Sequence, residues 1–424
     1  MQIRDNLKII FPTKFMQKQE ISFVLFGGTG DLTKRKLVPA FARLIHEGRI
    51  RDDSTIIGIS RKKMSDQEYK KFLIGSVKED KDKEYIRKLD IRFFSGDFTK
   101  SGLSGLKQLI EKSEKPGCNR IYYLSTSFRF FPDIVKELKS QNLHKKDKVF
   151  TRMVFEKPFG DDLSSSEELD KEIHKVFSEE DVFRLDHYLA KETVMNLNVL
   201  KSTNTALYKT FSNKYIESIE IIIDEDLGVE NRIEYYNDTG AIKDMFQSHL
   251  LQMLSLLLME LPHTLTADNI HDEKLKILKN LEILPASNHI LGQYESYEKE
   301  AKASSLKLSK IETFAKIELN CKIPKWDGVK LILRTGKKLK NKIGKIKINF
   351  KTNSNNVIID IYKKQEPNTP NEYATLLSEI IKGDKTLFTR SDEVAESWKI
   401  VEKIEKIRDK IKFIKYKDNS DPEE

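Results

Sequence analysis

Cysteine is almost missing from this 424-residue chain: Cys118 and Cys321 stand about two hundred residues apart, neither with a second thiol nearby. That excludes a disulfide framework and a cysteine zinc site and fits a reducing, cytoplasmic location. Glycine (18) and proline (11) are too few for long disordered tracts. Long apolar runs are lacking too. The longest, Leu250 to Met259, is broken by Gln252 and Ser255 and is too short to span a bilayer, so it reads as a buried helix and no membrane partner is expected. The first twenty residues carry charges within every apolar stretch and no small-residue cleavage site, so they do not read as a secretory signal.

What is present is a wet, soluble surface around a real core, with 38% hydrophobic and 33% charged residues. Basic residues outnumber acidic ones by 75 to 66, but they are scattered along the chain, which argues against nucleic acid as a partner. The length exceeds one ordinary core and predicts two domains. Over residues 20–190 short apolar runs alternate with helical stretches: Ile21–Phe26, Thr55–Ile59, Ile91–Phe94, Arg120–Leu124 and Val149–Phe155. That rhythm predicts a Rossmann-like, doubly wound parallel sheet. From 191 to 415 the runs Ser218–Asp224, Phe314–Ile323, Val329–Leu333, Lys345–Phe350 and Val357–Tyr362 are strand-like, and several alternate apolar and polar residues, as in Ile346, Ile348 and Phe350 around Lys347 and Asn349. Alternation means a half-solvated, mostly antiparallel sheet, here in an α+β domain with a helical block over Ala241–Glu260. Closing helices are expected to carry Ile400, Ile404, Ile407 and Ile411, and residues 1–19 and 416–424 to be flexible ends.

Two places concentrate chemistry. Gly27-Gly28-Thr29-Gly30 follows an apolar strand and precedes a helix, so it is either a structural turn or a phosphate cradle in which bare backbone and a helix N-terminus meet an anion. The third small position of the dinucleotide fingerprint falls near Thr33. At the end of the second strand, Ser60-Arg61-Lys62-Lys63 offers cations where an acid would hold a ribose hydroxyl, which favours NADP over NAD if the turn binds a dinucleotide. The second place is Phe183-Arg184-Leu185-Asp186-His187-Tyr188-Leu189-Ala190-Lys191-Glu192, a density of ionisable groups more typical of a site than of a core.

Taken in order, Gly27–Ala40, Phe155-Glu156-Lys157-Pro158-Phe159-Gly160, Arg184–Glu192, Gly240–Leu254 and Trp326–Lys337 resemble the glucose-6-phosphate dehydrogenase family, as do Asp268–Leu275, Leu291–Tyr294 and Leu387–Trp398. The resemblance runs from about residue 20 to 400. It implies oxidation of the C1 hydroxyl of glucose 6-phosphate to 6-phosphoglucono-lactone with hydride transfer to NADP, the first step of the oxidative pentose phosphate pathway, with NAD as a weaker acceptor. It further implies a homodimer or homotetramer built on the large sheet.

Carried onto this chain, the resemblance makes His249 the general base and Asp186 its orienting partner. Lys157 would serve the catalytic centre, the sugar and the cofactor. His187, Tyr188 and Lys191 would grip the phosphate, Glu225 and Asp244 would accept from sugar hydroxyls, and Lys337 and Lys342 would add positive charge. Gly27, Gly28, Thr29, Gly30, Asp31, Leu32 and Arg61 would hold the cofactor, and no metal is required. Asp244 and His249 are five residues apart, about 140° around an α-helix, so both can meet one substrate only if the helix starts between them or is irregular.

Several positions depart from the family pattern. Ala190 stands where glycine is usual, Ser248 replaces the asparagine before the base, Thr126–Phe130 lacks the usual proline, and the chain is short past Phe350, with Tyr362–Pro370 unlike the family. The alternatives are a catalytically weakened paralogue that binds NADP or sugar phosphate, and a related NAD(P)-dependent oxidoreductase of an unphosphorylated sugar or inositol. Lys191 with His187 and Tyr188 argues against the latter, because an uncharged substrate would leave an anion site idle.

Overall fold

Strands rich in apolar side chains on both faces must be covered on both, and the central strands of the N-terminal part of the chain are of this kind. The computed structural model describes residues 18–145, 149–204, 208–307, 310–352, 356–362 and 372–423; the N-terminal end up to residue 17 lies outside the described residues. The chain divides into two compact units, one comprising residues 1–155, 174–183 and 373–383, the other 156–173, 184–372 and 384–424. In the first, β1 (Ile21–Phe26) and β2 (Thr55–Ser60) are buried at every position. With β3 (Asp90–Ser95), β4 (Asn119–Leu124) and β5 (Thr151–Phe155) they pair in parallel, in the order β3-β2-β1-β4-β5. β6 (Val182–Leu185) extends this sheet. Its four residues are too few to stand out from the polar decapeptide they open.

The second unit is organised on an eight-stranded sheet: β7 (Ile216–Asp224), β8 (Leu281–Ile283), β9 (Ile290–Tyr294), β10 (Phe314–Cys321), β11 (Lys330–Gly336), β12 (Ile343–Phe350) and β13 (Asn356–Asp360), then, past a two-residue strand β14 (Phe388–Thr389) that pairs with Arg184 and Leu185 of β6, β15 (Lys412–Tyr416). The path is β13-β12-β7-β11-β10-β9-β15, with β8 on β10. Most pairs are antiparallel, as the alternation predicts: Ile346 and Ile348 are buried while Lys345 and Lys347 face outward. Two pairs are parallel, β7 with β11 and β9 with β15. The first matters for the site. In-register parallel strands end together, so Asp224 lies opposite Gly336 and the next residues, Glu225 and Lys337, emerge side by side.

Two expectations change. Ile411 does not continue the closing helix, which spans Ser391–Ile407; it follows a short turn and leads into β15, so its helical spacing with Ile407 is coincidental. Residues 416–423, expected to fray, are tied to the sheet because Arg334 binds Asp421 and Glu423, and Lys316 binds Glu423. Among the described residues no helix is long and apolar enough to cross a membrane.

Charge is also buried inside the first unit. Arg120 at the start of β4 makes two 2.6 Å bonds to Glu114 and donates to the carbonyl of Leu143 at 2.9 Å, with both side chains 5% exposed. Removing one partner strands the other without compensation. Glu114→Ala is expected to lose about 3–5 kcal/mol in urea unfolding, whereas Glu114→Leu with Arg120→Met should lose far less. Equal losses would mean that the pair itself stabilises the unit.

Candidate active site

The decapeptide leaves β6 as a tight turn. The Leu189 amide donates to the Asp186 carbonyl and the Lys191 amide to the Tyr188 carbonyl, each at 3.1 Å, while Asp186 Oδ1 accepts from the Tyr188 amide at 3.0 Å. This local carboxylate-to-backbone bond is what Asp does in turns. Lys191 then caps the helix Glu192–Thr203. Ala190 is buried and is not among the described non-glycine residues with positive φ, so the turn does not demand the glycine usual there.

The second contributor is Ile242–Leu250, which is a π-helix and not an α-helix. Hydrogen bonding from i to i+5 brings residues five apart onto one face, so Asp244 and His249 share a face that an α-helix would deny them. Its start is anchored from outside. Gly240 has φ +67°, and a Cβ there would come within 2.4 Å of the Glu312 carboxylate. Glu312, fully buried, accepts from the Ile242 amide at 2.9 Å and pairs with Arg408.

These two segments bring His249 Nδ1 to 2.5 Å from Asp186 Oδ1, both side chains 1% exposed. Burial pushes the Asp186 carboxyl up, but the adjoining His249 and the Tyr188 amide outweigh it and hold the carboxyl down at about 2, so it stays ionised. Burial pushes His249 below the ordinary value of 6.5, and Lys157 reinforces this. An ionised carboxylate only accepts, so Nδ1 carries the proton and Nε2 has the lone pair. His187, whose ring lies 4.8 Å from that of His249, falls well below its usual value through burial and the neighbouring His249, and is therefore neutral. It offers an uncharged hydrogen bond.

Lys157 follows β5 in a segment fixed by Trp398, whose Nε1 donates to the Phe159 carbonyl at 2.9 Å; the Lys157–Pro158 peptide is cis. Its ammonium donates to the Asp244 carbonyl at 2.6 Å and to Oδ1 at 3.0 Å. Tyr235 reaches the same Oδ1 at 3.4 Å. Against burial, Lys157 and Lys337 hold the Asp244 carboxyl well below its usual range. Lys337 is paired with Glu225.

The remaining expected residues meet at the other end of this group. The Tyr188 hydroxyl lies 2.9 Å from that of Tyr362, and Lys191 sits 5.0 and 5.2 Å from the two ring centroids. Lys342 lies 5.3 Å from the Tyr362 ring, and Lys191 also bonds Glu372 at 3.3 Å. Burial raises the Tyr188 hydroxyl well above its usual value and Tyr362 to about 12, so both remain protonated donors. All eight residues expected at the substrate lie in one unit, where Lys157 meets Asp244, Lys337 meets Glu225, His187 lies against Tyr188, and Tyr188, Lys191 and Lys342 gather at Tyr362. Tyr235, Tyr362 and Glu372 were not expected. Tyr362 and Glu372 flank the stretch that lost its likeness to the family, and nothing in their spacing marks them.

Asp186, His187 and His249 each offer a ligand atom within 4.8 Å of the others, a spacing that a metal ion can use. The Asp186–His249 bond already engages one pair of these atoms, and the Lys157 charge that depresses both imidazoles opposes a cation.

In the other unit, the turn after β1 has the features of an anion cradle. Gly27 has φ +90°, and a Cβ there would lie 2.3 Å from the Ser125 carbonyl oxygen. Gly27 and Gly28 amides both donate to the Ile59 carbonyl at 3.0 Å, and Gly30 donates back to Gly27 at 2.8 Å, closing the turn at a helix start. Thr33, at the third small position, is buried and donates to the Gly27 carbonyl at 3.1 Å. Asp31 pairs with Arg35, Leu32 follows in the first helical turn, and Thr29 bonds Ser60 at the end of β2, just before an exposed Arg61. Bare backbone, a helix N-terminus and a following cation fit a dinucleotide's phosphates.

Comparison with known proteins shows the family. Residues 24–196 match the model for "Glucose-6-phosphate dehydrogenase, NAD binding domain", and 198–369 and 357–424 match that family's C-terminal domain. The chain is 32% identical to glucose-6-phosphate 1-dehydrogenase of Bacillus subtilis over 92% of each chain, and 32% identical to that of Saccharomyces cerevisiae over 92% of this chain and 88% of the yeast protein. A solved glucose-6-phosphate dehydrogenase in complex with glucose 6-phosphate superposes with a TM-score of 0.85 at 28% identity, covering 96% of both chains. A myo-inositol 2-dehydrogenase from Lactobacillus plantarum, at a TM-score of 0.52 and 10% identity, shares the fold alone. The chain belongs to the glucose-6-phosphate dehydrogenase family.

Proposed function

We propose that this protein oxidises the C1 hydroxyl of glucose 6-phosphate to 6-phosphoglucono-lactone with NADP as acceptor, in a reducing, cytoplasmic setting. The buried Asp186–His249 pair beside a cluster of lysines and tyrosines carries this reading. His249 Nε2 takes the C1 hydroxyl proton while the C1–H bond breaks with its electron pair leaving as hydride, so C1–O becomes a carbonyl. Bound NADP supplies the two-electron acceptor. Asp186, ionised throughout, stabilises the imidazolium as it forms. Lys157 keeps His249 neutral beforehand and turns its ammonium toward the sugar oxygens. Asp244 and Glu225 accept from sugar hydroxyls, Tyr188, His187, Lys191 and Lys342 hold the anionic end, and Lys337 adds positive charge beside the sugar.

The dinucleotide is held by residues Gly27–Leu32, with Arg61 on the 2′-phosphate. The solvated face of the eight-stranded sheet serves self-association into a homodimer or homotetramer. Buried Cys118 and Cys321, neither of them in a disulfide, suit a reducing compartment.

Reduction of NADP in the presence of glucose 6-phosphate, followed by absorbance, tests the reaction. His249→Asn should lower kcat by about 10²–10⁴-fold; near-full turnover would remove it as the base. Because His249 must be neutral to act and its pKa lies below 6.5, kcat/KM should hold through neutral pH and fall only on the acid side of 6.5. Asp186→Asn removes the charge that favours imidazolium, so that limb should move to still lower pH while the plateau drops; a limb that moves upward refutes the pairing. Arg61→Ala should weaken NADP by on the order of tenfold to a hundredfold, the worth of one charge-assisted hydrogen bond, and leave NAD nearly unchanged. Equal loss for both would exclude the 2′-phosphate contact.

A further inference from the structure

Three lysines of the site are held by carboxylates: Lys157 by Asp244, Lys337 by Glu225 and Lys191 by Glu372. The first two carboxylates have a use. A sugar presents hydroxyl donors to them, so they exchange a lysine contact for a substrate contact or keep both. Glu372 is different. It stands at the Tyr188–Tyr362–Lys191–Lys342 end, where two cations flank a pair of phenols, a composition suited to a phosphate. A phosphate dianion has no proton to give a carboxylate. The two therefore repel each other while drawing on the same ammonium.

The repulsion is not fully screened, because the side chains of Lys191 and Glu372 are only 15% and 22% exposed. Nor is Glu372 trapped. It is the first residue of the helix Glu372–Lys382, where the partial positive charge of the helix N-terminus keeps an anion favourable after the lysine is released. Tyr362, its hydroxyl bonded to Tyr188 and its ring facing both lysines, provides the wall against which the exchange takes place.

We propose that Glu372 is a built-in rival of the substrate's phosphate for Lys191, setting how tightly this protein holds phosphorylated sugars. The proposal rests on the phosphate reading of that end of the site. It assigns Glu372 an affinity-lowering role, opposite in sign to that of the other carboxylates.

Inorganic phosphate titrated into wild type, Glu372→Gln and Glu372→Ala by calorimetry is the direct test. Both variants should bind phosphate about three- to fivefold more tightly, the size of a partly screened charge contact. KM for glucose 6-phosphate should fall by a similar factor, with the effect on KM rather than on kcat, and KM for unphosphorylated glucose should not follow. If Glu372 merely orients Lys191, both variants will bind phosphate more weakly, and the proposal is overturned. Unchanged binding, or none to any of the three proteins, overturns it as well. A wild type that does not oxidise glucose 6-phosphate sinks the catalytic reading, whereas tighter phosphate binding by the variants of such a protein would still support the rivalry.

Discussion

A carboxylate and an imidazole held 2.5 Å apart at 1% exposure constrain everything around them. Taking a carboxylate out of water costs several kcal/mol, recovered only with well-placed partners. Among the described residues Asp186 has two, His249 Nδ1 and the Tyr188 amide, both on the same oxygen, and Oδ2 is buried with no partner among them. The pair therefore tolerates little displacement. The turn from Asp186 to Lys191 and the helix bearing His249 must both be rigid, and each is fixed by bonds independent of any substrate.

The rigidity of the helix has an identifiable origin. A π-helix is a rare arrangement, tolerated where function demands its register. Here Asp244 and His249 are wanted on one face, and Glu312 helps hold the register by capping Ile242 while its carboxylate fills the space a side chain at Gly240 would need. Glu312 is in turn neutralised by Arg408, beyond the closing helix. The placement of His249 thus depends on a residue from the far end of the chain.

The central strands β1 and β2 of the first unit were legible because strands buried on both faces cannot hide their apolar composition, and the alternation of β12 revealed the second sheet equally well. The short strands β6, β8, β9 and β14 were not, since two to five residues carry too little pattern, and β15 was masked by its lysines. At the site, the conflict between Asp244 and His249 on an α-helix was visible as a conflict, and its resolution as a π-helix required coordinates. The motif residues were legible through their resemblance to the family. Tyr362 and Glu372 were not, because their role comes from side chains meeting across more than 170 residues of chain.

The lysines of the site are also ordered by their carboxylates. An ammonium on a long flexible stem loses much rotamer freedom when it binds. Pairing it beforehand moves part of that loss into folding, so the substrate meets cations already in place. Where the acid can then turn to a sugar hydroxyl, as proposed for Asp244 and Glu225, this preorganisation adds to binding. Where the incoming group is itself an anion, the same pairing subtracts from it. On the function proposed, one physical device therefore acts with opposite sign at the two ends of a single substrate.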